Sequence, residues 1–319
     1  MNQPEVASRL LSNLKDQVNS ECEIIIKDDS PTDETEIIVS EFQTFFKSNI
    51  QYFRGKPEGI DKTIIFLTEK AQGEFLWWVG DDEITANSLT NILETISRKR
   101  DLGLIWANYL YQDSGQSLLA FDLGQNKYFT DRNEVLLKAR TGLGFISSTI
   151  IRADIAKNNL AKSKKYIGTE FVNLFLVLSV LSSDYKSYFL RGPIIINHPK
   201  TETDFLDIKV KNNGEIVNKA FEVFGVHFKN ILLSFSNKFN KKVLKLVLKK
   251  TYRSAWKGMF VGWVGGWDTP NGKKIKLIKN FYYRPETWLA ILLFSLPRKV
   301  NILMYQTYRK IKSHSLKRI

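Results

Sequence analysis

A chain of 319 residues with 43% hydrophobic content buries one substantial core with room for a smaller appended unit, which excludes a disordered protein. A single cysteine, Cys22, excludes an intrachain disulfide framework and suits a reducing compartment, and His198, His227 and His314 are scattered without partners at zinc-ligand spacing. The formal charge of +14 is unevenly placed: from residue 237 onward 20 Lys and Arg face only Asp268 and Glu286, so a tail of +18 follows a body of −4.

In chain order, residues 4–17 are predicted helical from Val6, Leu10, Leu11 and Leu14 at helical spacing, with Pro4 near the start. No charged, apolar, small-residue pattern opens the sequence, so no export signal is visible. Residues 23–27 form a compact strand ending in Asp28 and Asp29. A helix over 34–48, a strand over 50–53 and a helix over 62–71 follow. Phe75 to Val79 then have the length and aromatic content of a buried strand.

Gly80 lets the backbone turn where Asp81, Asp82 and Glu83 begin. Carboxylates crowded at a strand end repel unless a cation sits between them. Mg2+ or Mn2+ is the usual answer, because such ions take oxygen ligands and share them with substrate phosphates. The alternative is that Asp82 or Glu83 merely caps the helix suggested by Leu89, Ile92, Leu93 and Ile96. Strands at 102–110 and 145–151, a helix at 170–181 and a late strand at 188–196, interrupted by a turn, complete the pattern. Strands alternating with helices indicate an α/β domain with a mostly parallel sheet, whose ligands bind beyond the carboxyl ends of the strands. Both acidic clusters lie at such ends. Strand signals fade near Phe205, so the predicted domains are 1–203 and a basic helical region, 204–319.

Asp28-Asp29-Ser30-Pro31-Thr32-Asp33 resembles the "DDGSTD" turn of family-2 glycosyltransferases, which have the nucleotide-sugar-binding fold called GT-A. About fifty residues on, Ala71-Gln-Gly-Glu74 followed by Gly80-Asp-Asp-Glu83 resembles that family's "A-x-G-E-(apolar)-D-x-D-D" segment. Residues 100–200 are similar to the branch containing abequosyl and related deoxysugar transferases of surface polysaccharide synthesis. The resemblance implies that Asp28 and Asp29 belong to the nucleotide-sugar site, with Asp29 accepting from the base. It implies Asp81 near the ribose or sugar, Asp82 on the metal bridging two phosphates, and Glu83 either as a direct ligand or as a group just behind the ligands. It also implies a carboxylate base for an inverting transfer. Glu170 in Tyr166-Ile-Gly-Thr-Glu170 is the candidate, against the alternative of a favourably placed first-turn acid. Thr141-Gly-Leu-Gly-Phe145 is either an acceptor-sugar loop or an ordinary turn.

The family opens with an apolar strand ending "P-T-Y-N", and Met1-Asn2-Gln3 enter at its last residue. The sheet is therefore expected to lack its first strand, through a truncated start, an impaired protein or a substitute segment. In the tail, 238–250 mixes aliphatic and cationic residues at helical spacing, Trp256, Phe260, Trp263, Val264 and Trp267 continue an aromatic stripe, and 288–296 is apolar but shorter than the roughly 20 residues a bilayer demands. Such a tail suits an anionic membrane surface, with packing onto the body and nucleic-acid binding as alternatives. No recognition-module signature supports nucleic acid.

The expectation is a metal-dependent glycosyltransferase, peripheral on the cytoplasmic face of the cell membrane. It would move a sugar from a nucleotide-diphosphate sugar to a hydroxyl of a lipid-linked saccharide. The rivals are an inactive GT-A module serving as a scaffold and a sugar-phosphate nucleotidylyltransferase, whose glycine-rich phosphate loop is not found here.

Overall fold

A computed structural model describes residues 4–46, 50–113, 116–197, 222–251, 300, 303 and 304. The chain divides into two compact units, residues 1–199 with 230–247, and residues 200–229 with 248–319. Every candidate site residue lies in the first.

Its elements are α1 (Pro4–Leu14), β1 (Ile24–Asp28), α2 (Glu34–Gln43), β2 (Ile50–Arg54), α3 (Ile60–Lys70), β3 (Phe75–Trp77), β4 (Glu83–Ile84), α4 (Ser88–Arg98) and β5 (Leu102–Asp113). There follow β6 (Gln116–Leu119), β7 (Lys127–Phe129), α5 (Arg132–Ala139), β8 (Thr149–Arg152), α6 (Ala153–Asn158), α7 (Leu160–Ser163), α8 (Val172–Leu181) and β9 (Lys186–Asn197). Two 3-10 turns, Arg140–Gly144 and Ile146–Ser148, lead into β8, so the strand predicted from residue 145 begins at Thr149.

The main sheet has seven strands in the order β3-β8-β5-β9-β4, with β6 on β5 and β7 on β9. Strand β5 sits at its centre, and Leu102, Leu104, Ile105, Trp106 and Ala107 have no solvent exposure. A strand covered on both faces reads as a continuous apolar run, which is why this segment does not alternate. All ten residues of α8 are buried, as a helix with apolar residues on every side must be, and its two polar residues, Asn173 and Ser179, are hydrogen-bonded.

The sheet is more mixed than expected. Strands β1 and β2 pair in parallel, as do β5 and β9. Strand β8 runs antiparallel to both β3 and β5, and β4 runs antiparallel to β9. The physical reason is connectivity: α5 and the two 3-10 turns deliver the chain to the opposite end of the sheet, so β8 enters between β3 and β5 in reverse. As a result β3, β5 and β9 point the same way, and their carboxyl ends share one edge. The turn expected within β9 is a bulge in one continuous strand. Ala107 pairs with Leu190 but Asn108 pairs with Pro193, so Arg191 and Gly192 are extra, beside a proline that has no N–H to donate.

Strands β1 and β2 form their own two-stranded sheet. A lone pair of strands is marginal in water. Here it is covered by Leu11 of α1, Val39 of α2 and Phe46, which cluster with Ile50 and carry Ile24, Ile26 and Tyr52 against them. Glu23, just before β1, accepts from the backbone N–H of Gln72 (2.5 Å) and Gly73 (2.8 Å), just before β3, so the amino ends of these two strands are tied together by a side chain.

Of the basic region, 241–250 is helical, as its spacing predicts. Leu244 and Val247 are buried, whereas Lys241, Lys242, Lys245, Lys249 and Lys250 are exposed, so its apolar face turns into the protein. The aromatic stripe from Trp256 to Trp267 and the apolar run 288–296 lie outside the described residues. Among the described residues, no helix is long and apolar enough to cross a membrane.

Candidate active site

The two acidic turns are built differently. Asp28 closes β1, and its carboxylate is only 8% exposed as a residue. One oxygen accepts from Ser30 N–H (2.9 Å), and the other accepts from the Ser30 hydroxyl (2.8 Å) and the Tyr52 hydroxyl on β2 (2.7 Å). Burial pushes the Asp28 carboxyl up, but these donors, aided by the Arg54 charge, outweigh it and leave it below its ordinary value. The same contact pushes the Tyr52 phenol up, burial being the first cause and the Asp28 hydrogen bond the second. Asp28 therefore fastens the turn to β2. Asp29, half-buried, is ion-paired with Lys27, and Asp33 pairs with Arg54.

The second turn is fixed from far away in sequence. Asp82 is 5% exposed, and its Oδ2 accepts from the Ser147 hydroxyl at 2.5 Å while its Oδ1 accepts from the Asn197 side-chain amide at 2.7 Å. Ser147 Oγ also accepts from Gly80 N–H (3.0 Å), and its carbonyl accepts from the Trp77 indole (2.9 Å), so one serine holds both ends of the segment joining β3 to Asp82. Ser147 precedes β8 and Asn197 ends β9, which places Asp82 at the carboxyl edge of β3 and β9. Tyr109 on β5 has its phenol pushed up, first by burial and then by the negative charge of Asp82. The backbone carbonyl of exposed Asp81 accepts from Arg9 of α1 at 2.8 Å. Glu83 begins β4 and pairs with Ile196 in the ladder.

The loop before α8 brings Glu170 to the same unit. Glu170 is half-buried and holds φ at +62°, the left-handed region that side chains avoid. That is why α8 starts at Val172 and not at Glu170 as predicted. Asn173 of α8 donates to Gly144 carbonyl (2.9 Å), three residues before Ser147, so the Glu170 loop and the Asp82 turn lean on one short segment. Within it, a Cβ on Gly142 would lie 2.4 Å from Phe121 and one on Gly144 2.7 Å from Phe171. The two glycines of 141–145 are there for close aromatic packing.

The structure thus links Asp82 to Ser147 and Asn197, and ties α8, which follows the Glu170 loop, to Gly144 of the same 144–147 segment. Asp28 and Asp29 belong to the separate small sheet. Ser147 and Asn197 were not singled out from sequence, since a serine in Ile-Ser-Ser and an asparagine after Ile-Ile-Ile carry no local signal. An ion is compatible with this donor set in one way. Among the described residues no group of three His, Cys, Asp or Glu could hold a metal, so Asp82 and Glu83 would supply few ligands and substrate phosphates the others, which is how Mg2+ is commonly bound.

Residues 1–158 match the family described as Glycosyl transferase family 2. Abequosyltransferase RfbV of Salmonella typhimurium (strain LT2) is 24% identical over 213 residues, which cover 61% of this chain and 63% of that protein. The match thus spans less than two thirds of the relative. Among solved structures, S. aureus TarS 1–349 is similar with a TM-score of 0.52 at 16% identity, over 82% of this chain and 90% of that one. The same protein in complex with UDP-GlcNAc gives 0.51 at 16% identity, over 80% and 88%. Mannosyltransferase PcManGT from Pyrobaculum calidifontis, in complex with GDP-Man and Mn2+, gives 0.51 at 12% identity, over 95% and 84%. These likenesses establish the GT-A fold. Fold and sequence match agree on a glycosyl transferase family 2 domain over residues 1–158.

Proposed function

We propose that the chain is a metal-dependent, inverting glycosyltransferase. It moves a sugar from a nucleotide-diphosphate sugar to a hydroxyl of a lipid-linked saccharide in cell-surface polysaccharide synthesis. The observation that carries this reading is Asp82, a buried carboxylate at the carboxyl edge of the sheet held in one orientation by Ser147 and Asn197. Ligands bind at such edges in α/β folds. The similar structures that contain UDP-GlcNAc or GDP-Man with Mn2+ point to the same class of donor.

In this reading Asp82, with Glu83, holds Mg2+ or Mn2+, which when bound neutralises the charge that develops on the departing diphosphate. Asp29 accepts from the nucleotide base, and Asp28 keeps Asp29 in place through the turn it shares with Ser30. Asp81 stands by the ribose or sugar. Glu170 accepts the proton of the attacking hydroxyl. The Ser147 and Asn197 donors leave the Asp82 carboxylate no freedom to rotate. Preorganisation of this kind is how outer partners sharpen a ligand.

The basic region, residues 204–319, is the membrane-associating part of the proposal, set on the inner face of the cell membrane. Its described helix offers five exposed lysines while Leu244 and Val247 are buried. Attraction to anionic headgroups, at about 1 kcal/mol per nearby cation, is the contribution this helix makes. A second reading, an inactive GT-A scaffold, draws on the inward-turned Asp28 carboxylate and on the separate β1–β2 sheet.

The deciding experiment is transfer and donor hydrolysis with a panel of nucleotide sugars, with and without Mn2+, on the chain and on Asp82→Ala. Metal-stimulated turnover lost in the variant supports the enzyme. Transfer without metal and indifferent to Asp82→Ala defeats the ion assignment, and binding without turnover across the panel supports the scaffold.

A further inference from the structure

Asp61 is the second residue of α3, and it is 5% exposed. Its partners are not its own helix. Oδ2 accepts from the backbone N–H of Gly168 (2.8 Å) and Glu170 (2.9 Å), and Oδ1 from that of Val172 (3.0 Å). Three alternate amides of one loop, between 107 and 111 residues away, thus converge on a single carboxylate. Val172 opens α8, so Asp61 also satisfies one of that helix's unpaired amino-end donors and places negative charge at the favourable end of its dipole.

A loop wrapped round one anion must turn its alternate N–H groups inward. Gly168 meets that demand with φ at +89°, at no steric penalty. Glu170 meets it with φ at +62°, where its Cβ crowds the following carbonyl. Glycine would serve the backbone better at this position, so the residue is retained for its side chain. Non-glycine residues held in this region by over-determining contacts cluster at functional sites. In the absence of the Asp61 anchor, residues 168–171 would be free to enter the right-handed region and lengthen α8 backwards, which would swing the Glu170 carboxylate to another face of the helix.

We propose that Asp61 is a positioning residue that holds Glu170 in its left-handed backbone conformation and so aims its carboxylate at the acceptor hydroxyl. This rests on the reading of Glu170 as the base, and the test separates the two. Transfer kinetics and thermal unfolding are measured for the whole chain as wild type, Asp61→Asn, Glu170→Gln and the double variant. An amide at 61 keeps one acceptor oxygen and faces the loop N–H groups with a donor, so the anchor is broken with little change of volume.

The expected result is that Asp61→Asn lowers kcat at least tenfold with donor KM within about twofold, since small misplacements of a reacting group are that damaging. In the Glu170→Gln background the same change should leave the residual rate unaltered, because there is no base left to misplace. Equal losses of kcat in both backgrounds would overturn the proposal in favour of a purely structural Asp61. Full activity of Glu170→Gln would instead overturn the base reading, and with it the aim assigned to Asp61. If Asp61→Asn does not fold, Glu170→Gly decides. A higher melting temperature together with lost transfer supports a side chain retained against backbone preference, whereas a lower melting temperature or retained transfer refutes it.

Discussion

The two acidic turns of this protein look alike in sequence and do opposite things in the fold. At the end of β1, Asp28 is gripped by Ser30, two residues on, and by Tyr52 on the neighbouring strand. After β3, Asp82 is gripped by Ser147 and Asn197, 65 and 115 residues further along. The first carboxylate serves its own turn. The second is held by the ends of two other strands, at a spot the local chain has no reason to stabilise. A carboxylate positioned from a distance is a stronger sign of chemistry than one consumed nearby.

The sharpest way to break this contrast is to delete each carboxylate in turn. Asp82→Ala should lower kcat/KM for transfer by at least about a hundredfold, the scale of losing a transition-state charge contact. Asp28→Ala should chiefly reduce stability, by about 1–3 kcal/mol, because Tyr52 and Ser30 lose their acceptor. Urea unfolding beside steady-state kinetics on both variants checks this, and a reversed pattern would mean that the roles of the turns have been exchanged.

Removing the support leaves the carboxylate but frees it. Ser147→Ala is expected to raise the Mn2+ concentration for half-maximal activation by about tenfold, at the lower end of what outer-shell partners contribute. Titration of Mn2+ binding in the absence of donor gives a second reading of the same loss. Gly144→Ala probes the segment that carries Ser147 and accepts from Asn173 of α8. Its Cβ meets Phe171 at 2.7 Å, so overpacking should cost about 1–3 kcal/mol and depress transfer more than donor hydrolysis.

The smallest effect concerns acid. Because the folded Asp28 carboxyl lies below its ordinary value, its contribution to stability is present above the unfolded pKa of about 3.9 and lost as pH falls through the lower folded value. Asp28→Asn should therefore flatten the dependence of unfolding free energy on pH below about pH 4, measured by denaturant titration at several acid pH values. A slope unchanged by the substitution would show that other carboxylates carry it.

Much of this architecture was legible in the residues. Phe75 to Trp77, Leu102 onward and the largely apolar α8 announce themselves by composition, and Gly80 followed by three acids marks the turn. The direction of β8 was not legible, because strand periodicity is the same in either sense and only the connection through α5 decides it. Nor were Ser147, Asn197 and Asp61. Each is an ordinary polar residue in its own neighbourhood, and each acquires its role from a partner 65 or more residues away. Glu170 was found by its motif, but its left-handed backbone was not, since nothing in Gly-Thr-Glu reveals an anion waiting on another helix.

The separation of β1–β2 from the main sheet sets an order for thermal disassembly. No ladder joins β1 to β3 among the described residues, so the small sheet depends on the lid of α1 and α2, on Phe66 of α3 packed against Phe53, and on the Glu23 clasp. Warming should loosen that lid before it disturbs the fully covered β5 and α8, and the half of the molecule assigned to the nucleotide base would soften while the half bearing Asp82 still stands.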